Sequence, residues 1–316
     1  MYRITPSIRC TYRGKGLSKT NVSPKFSTFG SAIHEAPRLV TRLTRPVQCI
    51  KVPELSYAKQ SHHVRQVAVQ LRGAGILKIS LQFQDPNSKY LEHLLSTLHQ
   101  NHGHRLPIRH SAHRGWFWDV RPSTTNFQAG SHQARSETMS EFPWHTDCSY
   151  EDQPPRYFAL QVLQHDRYGG GTLSVMNVKS LIEHLSPATR TYLSRPEYQI
   201  TVPQEFIKDP NRRSILGSIL VANDDHDEVL IRFRSDILSA QSQRASHALE
   251  ELRATLQDRN LQSSLALHLS PEDLPAGSIV LIDNRRWLHA RNHINDPERH
   301  LRRVRWDAMP FESNSS

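Results

Sequence analysis

Apolar positions recur along the chain with two different periods, and the changes between them mark its elements. Leu91, Leu94, Leu95 and Leu98 repeat at helical spacing and predict the buried face of a helix. His62 to Gly73 also reads as a helix, broken by Gly73-Ala-Gly75 ahead of a strand over Ile76 to Phe83. Val178 to Leu193 and Ser242 to Asp258 are predicted helices, and Ser214 to Arg234 holds two strand-like runs around an acidic turn. Gly115-Trp-Phe-Trp-Asp-Val-Arg121, the densest aromatic cluster, predicts a strand, as does the aromatic-rich run Glu141 to Tyr150. Near the C-terminus, the apolar strand Pro275 to Ala290 ends in a polar turn, and Asp296 to Trp306 reads as a further strand. Pro122 to Ser140 is polar and aperiodic; a loop of that length inside a compact domain is expected to be an active-site lid. Strands alternating with helices held outside one barrel imply a mainly β fold with flanking helices and a double-stranded β-helix (jelly-roll) core.

Composition bounds the picture. The 316 residues have room for one large domain, over 46–312, preceded by a tail, 1–45. No apolar run approaches the length of a membrane span, so no membrane partner is expected. Cys10, Cys49 and Cys148 are few, odd in number and without metal-type spacing, which points to a reducing compartment. Cys148 is expected to be a packed thiol turned away from its neighbour Asp147. Of the net charge of +10, +8 lies in residues 1–45, which carry nine Lys or Arg against the single acid Glu35. The body is thus nearly neutral, without the basic stripe that nucleic-acid binding requires. The Ser/Thr-rich basic tail has the composition of a transit peptide. Pro6, Gly14 and Gly16 interrupt the helix such a signal needs, so a solvated extension is an equal reading and the location is cytoplasmic or mitochondrial. Nothing in the chain indicates an oligomeric state.

The chemistry concentrates at His145-Thr146-Asp147. On an extended strand, residues two apart share a side, so His145 and Asp147 can bind one metal together. With 19 histidines, chance pairings are easy: His226-Asp227 has the same spacing, and His102-Gly-His104 is a formal metal pair. His226 lies in an acidic turn cluster and is set aside as a decoy. With His289 from the C-terminal apolar strand, the set becomes two histidines and one carboxylate. That set suits ferrous iron with open coordination positions; zinc also accepts it. Beyond it, Arg299, Leu301, Arg303 and Arg305 fall on one strand face. Arginines so arranged are odd in a core and natural for gripping a dicarboxylate.

These segments, together with Tyr168-Gly-Gly-Gly-Thr172, resemble the taurine dioxygenase-like (clavaminate synthase-like) family of Fe(II)/2-oxoglutarate dioxygenases from about Val64 to Trp306. The resemblance implies that His145, Asp147 and His289 hold Fe(II). It implies that Thr172 and Arg299 hold the distal carboxylate of the co-substrate 2-oxoglutarate, with Arg303 near its metal-bound end. The activity implied is O2-dependent oxidation of an unactivated C–H bond, releasing succinate and CO2. Hydroxylation is the default outcome, with desaturation or ring formation open, and a role in amino-acid or secondary metabolism fits the family. Two departures stand out. Gly171 replaces the family's usual acid, and a shortened interval after His289 makes Arg302 a competitor for Arg303. Glu141, on the same strand face as His145, could receive a substrate amine. Arg121 or Arg156 could receive a carboxylate, and Trp118 could contact substrate, so a small amino-acid-like substrate is expected. The alternatives are a non-catalytic barrel acting as a ligand-binding module and a zinc hydrolase.

Overall fold

The computed structural model describes residues 47–109, 115–122, 134–223 and 228–312. The basic tail, most of the expected lid and the acidic turn around His226 lie outside the described residues.

Ten strands build two core sheets. In chain order they are β1 (Cys49–Val52), β2 (Ile76–Leu81), β3 (Phe117–Val120), β4 (Phe142–His145), β5 (Pro155–Gln164), β6 (Leu173–Asn177), β7 (Ala266–Leu269), β8 (Ser278–Asp283), β9 (Trp287–Arg291) and β10 (His300–Ala308). The larger sheet runs β1-β2-β8-β5-β10-β3 and the smaller β7-β6-β9-β4. All their pairings are antiparallel except β1 with β2. This is the expected jelly-roll core. Its inner layer joins Trp118, Val120, Phe158, Leu160 and Leu301 of the larger sheet to Leu173, Val175 and Trp287 of the smaller.

The helices cover the outer faces. Helices Ser61–Ala74 and Lys89–His102 pack Val64, Val67, Leu71, Leu91, Leu94 and Leu98 against the larger sheet, where Val304 and Trp306 of β10 meet them. Alternation along β10 therefore splits it, with Leu301, Arg303 and Arg305 at positions of one parity and Arg302, Val304 and Trp306 at the other. The first helix ends at Gly75, at φ +72, where an added Cβ would lie 2.7 Å from Trp287 Nε1. Only glycine meets both demands.

The insertion between β6 and β7 packs its own core onto the smaller sheet, with Leu249 and Leu252 of helix Gln243–Gln257 against Leu193, Tyr198, Ile200 and Leu288. Ser242 caps that helix by accepting from Ala245 N at 3.1 Å. The single helix expected over Val178 to Leu193 is two, Val178–Ile182 and Pro187–Leu193. Pro187 lacks the N–H to continue a helix but suits the start of one, and the side chain of Ser186 accepts from Thr189 N at 3.2 Å. No helix among the described residues is long and apolar enough to cross a membrane.

Candidate active site

His145 is the last residue of β4, and β9 brings His289 directly opposite it in register. Asp147 is not on an extended strand, contrary to the alternation expected from sequence. It lies in the turn after β4, where Cys148 takes φ +55. Two clamps replace strand geometry. Thr146 N donates to Phe233 O at 2.7 Å, and its hydroxyl accepts from Phe233 N at 3.0 Å. Asn284 spans Asp147 from the end of β8, its Oδ1 accepting from Asp147 N at 2.7 Å and its Nδ2 donating to Asp147 O at 3.0 Å.

The result is a buried trio whose ligand atoms all lie within 4.8 Å of one another. Asp147 Oδ1 is 4.0 Å from His145 Nε2 and 3.8 Å from His289 Nε2. His145 Nδ1 sits 2.8 Å from Pro143 O; as donor to that carbonyl it leaves Nε2 unprotonated and turned toward Asp147. Burial, and then the neighbouring His289, push the pKa of His145 well below its usual value. For Asp147 burial acts upward but is outweighed by the Arg303 guanidinium, 3.2 Å away, together with His289 and Arg305, so its pKa stays well below the carboxylate range. A neutral imidazole and an ionised carboxylate are the forms that bind a cation.

The same cavity is lined by Arg291, Arg299 and Arg303, with Phe142, Phe158, Leu160, Leu173 and Leu301 supplying apolar wall. Burial, then the nearby Arg291, lowers the Arg299 pKa to about 9, while burial and Arg135 lower that of Arg291 to about 10. Asp147 Oδ2, His289 Nδ1, Arg299 Nη1 and Arg303 Nε are buried without a hydrogen-bond partner. Buried cations and orphaned polar atoms on residues that line one cavity suit a metal ion together with an anionic ligand.

The glycine run has its reason here. Gly171 N donates to His293 O at 2.8 Å, and at φ +65 an added Cβ would meet Arg299 Nε at 2.6 Å. An added Cβ on Gly170 would lie 2.6 Å from Asn295 N. Asp166 accepts from the backbone of Tyr168 (2.9 Å), Asn295 (2.7 Å) and Asp296 (3.1 Å), so the β5–β6 and β9–β10 loops are tied into one unit that carries Arg299. The departure at Gly171 is thus a close approach of backbone to guanidinium. Thr172 donates its N–H to Asn292 Oδ1 at 2.7 Å and is not part of the cavity lining, whereas its neighbour Leu173 is.

The other sequence candidates divide. Arg303 faces the cavity, while Arg302 turns outward to Asp119 at 2.8 Å and to Pro86 O at 2.8 Å. Glu141 is exposed and outside the lining. A bulge explains it: three steps of β4, from Phe142 to His145, oppose two steps of β9, from Arg291 to His289. Alternation is broken there, and Phe142 stacks on His145 instead, with ring centroids 3.6 Å apart. Arg121 is exposed at the end of β3. Arg156 lies at the start of β5, paired with Asp283 at 3.5 Å and lying over Tyr157, away from the cavity. Trp118 belongs to the inner core, two residues from the cavity-lining Val120. Cys148 is buried, and burial raises its thiol pKa. Reasoning from sequence missed Asn284, Phe142 and Arg291. For Arg291 the signal was available, since it stands two residues beyond His289 on one strand.

The profile of the taurine catabolism dioxygenase TauD, TfdA family matches residues 50–305. The chain belongs to this family. As a TauD/TfdA-family protein it is an Fe(II)/2-oxoglutarate-dependent dioxygenase, as its motifs implied. Its fold is shared with an asparagine oxygenase solved with Fe(II), (2S,3S)-3-hydroxyasparagine and succinate, at 15% identity and TM-score 0.62, covering 81% of this chain and 92% of that one. It is shared too with the non-heme iron oxygenase OrfP in complex with Fe, at 17% identity and TM-score 0.57, covering 79% and 84%. OrfP with Fe and alpha-ketoglutaric acid matches at 18% identity and TM-score 0.55, covering 80% of each chain. No curated protein matches the chain in sequence.

Proposed function

We propose that this TauD-family enzyme hydroxylates an unactivated C–H bond of a small, amino-acid-like substrate, with His145, Asp147 and His289 as its iron ligands. The observation that carries the assignment is one cavity lined by this buried trio together with Arg291, Arg299 and Arg303. A hydrolytic zinc site would leave those arginines without a task, whereas a dicarboxylate co-substrate uses them.

Bound iron(II), with 2-oxoglutarate and oxygen, supplies the oxidation itself, and 2-oxoglutarate leaves as succinate and CO2. The protein's part is placement. Arg299, fixed against Gly171, receives the distal carboxylate of 2-oxoglutarate; Arg303 serves the end nearer the metal. Asn284 and Thr146 hold Asp147 in position, and the hydrogen bond to Pro143 O orients His145. Phe142, Phe158 and Leu173 keep water from the reacting centre. The amino-acid-like character of the substrate draws support from the two structural neighbours, which were solved with hydroxylated asparagine and with hydroxylated L-arginine.

An anaerobic titration of metal-free protein with Fe(II) and 2-oxoglutarate tests the site. A violet charge-transfer band that saturates near one equivalent, and is lost in His145→Ala, is expected. Iron binding without that band would overturn the assignment.

A further inference from the structure

A second cavity shares Ser136, Phe142, His145, Asp147 and Arg303 with the first and extends to Arg135, Arg234, Tyr150 and Phe206. Phe142 links the two. Its ring stacks on the His145 imidazole at 3.6 Å and 10°. The guanidinium carbons of Arg135 and Arg234 lie 5.5 Å and 5.6 Å from the centroid of the same ring. Arg234 is also fixed through its backbone, which bridges to His145. Its head is held bidentately by Asp236, with Nε and Nη2 each 2.9 Å from a carboxylate oxygen. Arg135 Nη1 reaches the same Asp236 at 3.7 Å. One carboxylate therefore serves two cations beside the metal site. Tyr150 and Phe206, stacked at 5.4 Å and 13°, form an aromatic wall.

The charge balance is one-sided. Arg135, Arg234, Arg303 and Arg305 line this cavity, and Asp147 is the sole carboxylate in its lining among the described residues. Asp236 adds one negative charge from beside the arginines. The positive charge of Fe(II) and the negative charge of 2-oxoglutarate cancel, so the cationic excess persists in the loaded enzyme. Asp236 engages Nε and Nη2 of Arg234 and Nη1 of Arg135, so a substrate carboxylate would accept from the remaining guanidinium nitrogens, Arg234 Nη1 and Arg135 Nη2, whereas an ammonium group would meet repulsion.

We infer that Arg135 and Arg234 form the head-group subsite for the primary substrate and select a carboxylate. The carbon skeleton then lies between Phe142 and the Tyr150–Phe206 wall, with the oxidised carbon facing the metal ligands. This rests on the iron- and 2-oxoglutarate-dependent reading of the adjoining site and adds that the feature recognised in its small substrate is a carboxylate, whether or not an α-amino group accompanies it. Among the described residues the subsite lining holds no carboxylate other than the metal ligand Asp147 to receive an amine, in contrast to the role considered for Glu141.

The test uses enzyme loaded with Fe(II) and 2-oxoglutarate and matched sets of probes. L-Asparagine, L-arginine and L-phenylalanine are each compared with their carboxamide and with the amine lacking the α-carboxylate, and 3-phenylpropionate is compared with its carboxamide alone. Perturbation of the charge-transfer band without oxygen, and succinate release with oxygen, are the readouts. Acids are expected to perturb the band and accelerate succinate release, with amides and amines at least tenfold weaker. Arg135→Gln and Arg234→Gln are each expected to raise the half-saturating acid concentration at least tenfold. Amides or amines matching the acids, acids acting undiminished on both variants, or no acid perturbing an intact band would each overturn the subsite. Failure of the band to form in the wild-type protein before any probe is added would instead overturn the reading of the metal site, so the two failures are distinguishable.

Discussion

Asn284 carries a larger share of the metal site than its position suggests. Its amide brackets the backbone of Asp147 and also donates to Pro155 O at 2.9 Å, coupling the β4 turn to the ends of β8 and β5. Residues that orient a metal ligand typically change metal affinity by about 10- to 100-fold when removed. Asn284→Ala is accordingly expected to weaken Fe(II) binding by that order, measured by anaerobic titration, while His145 and His289 stay paired in register. An unchanged affinity would show that Thr146 and Phe233 suffice. Asn284 was not read as part of the site from sequence, since an Asn after an apolar strand looks like any turn residue. The contact that gives it meaning comes from 137 positions away.

At the scale of elements, the two loops tied together by Asp166 behave as one device for presenting Arg299. Gly171→Ala tests this. Its Cβ would fall 2.6 Å from Arg299 Nε on a backbone already at φ +65, which costs an L-residue about 1–2 kcal/mol. Reduced stability of that order is expected, together with a raised apparent KM for 2-oxoglutarate as the guanidinium is displaced. A variant that loses stability and keeps its KM would mean that Arg299 is held by other contacts. The Gly-Gly-Gly-Thr run was legible as a motif, but the reason for its middle and last glycines was not. Backbone from the β9–β10 loop presses on Gly170, and the Arg299 guanidinium presses on Gly171.

For the whole molecule, the larger sheet and its helix layer set a pH limit. His104 is buried, stacks on Tyr157 at 5.3 Å and accepts a hydrogen bond from Trp306 Nε1 at Nδ1, 3.1 Å away. Burial pulls its pKa down to about 4, partly opposed by Asp307. The unfolded chain, titrating near the ordinary value of about 6.5, then binds more protons than the folded one between pH 6.5 and 4. Stability from neutral His104 is therefore complete above about pH 6.5 and is lost as pH falls toward 4, amounting to about 3 kcal/mol across that window. Urea unfolding at pH 7.5 and 5 should show this decline in the wild type and a flatter dependence in His104→Asn. Parallel curves for the two proteins would remove His104 from the account.

The elements and the chemical inventory are written in the order of residues alone: the amphipathic helices, the apolar strands, the two histidines and aspartate, and the arginines of β10. These follow from local periodicity and from residue chemistry, which neighbours in the chain suffice to specify. Tertiary structure decided which of those residues share a cavity. The β4–β9 bulge turned Phe142 rather than Glu141 toward His145, since one extra residue reverses strand alternation. Pairing with Asp119 drew Arg302 outward and pairing with Asp283 drew Arg156 away, because an arginine follows the carboxylate that packing brings near it. Register, bulges and long-range ion pairs are set by contacts between segments far apart in the chain.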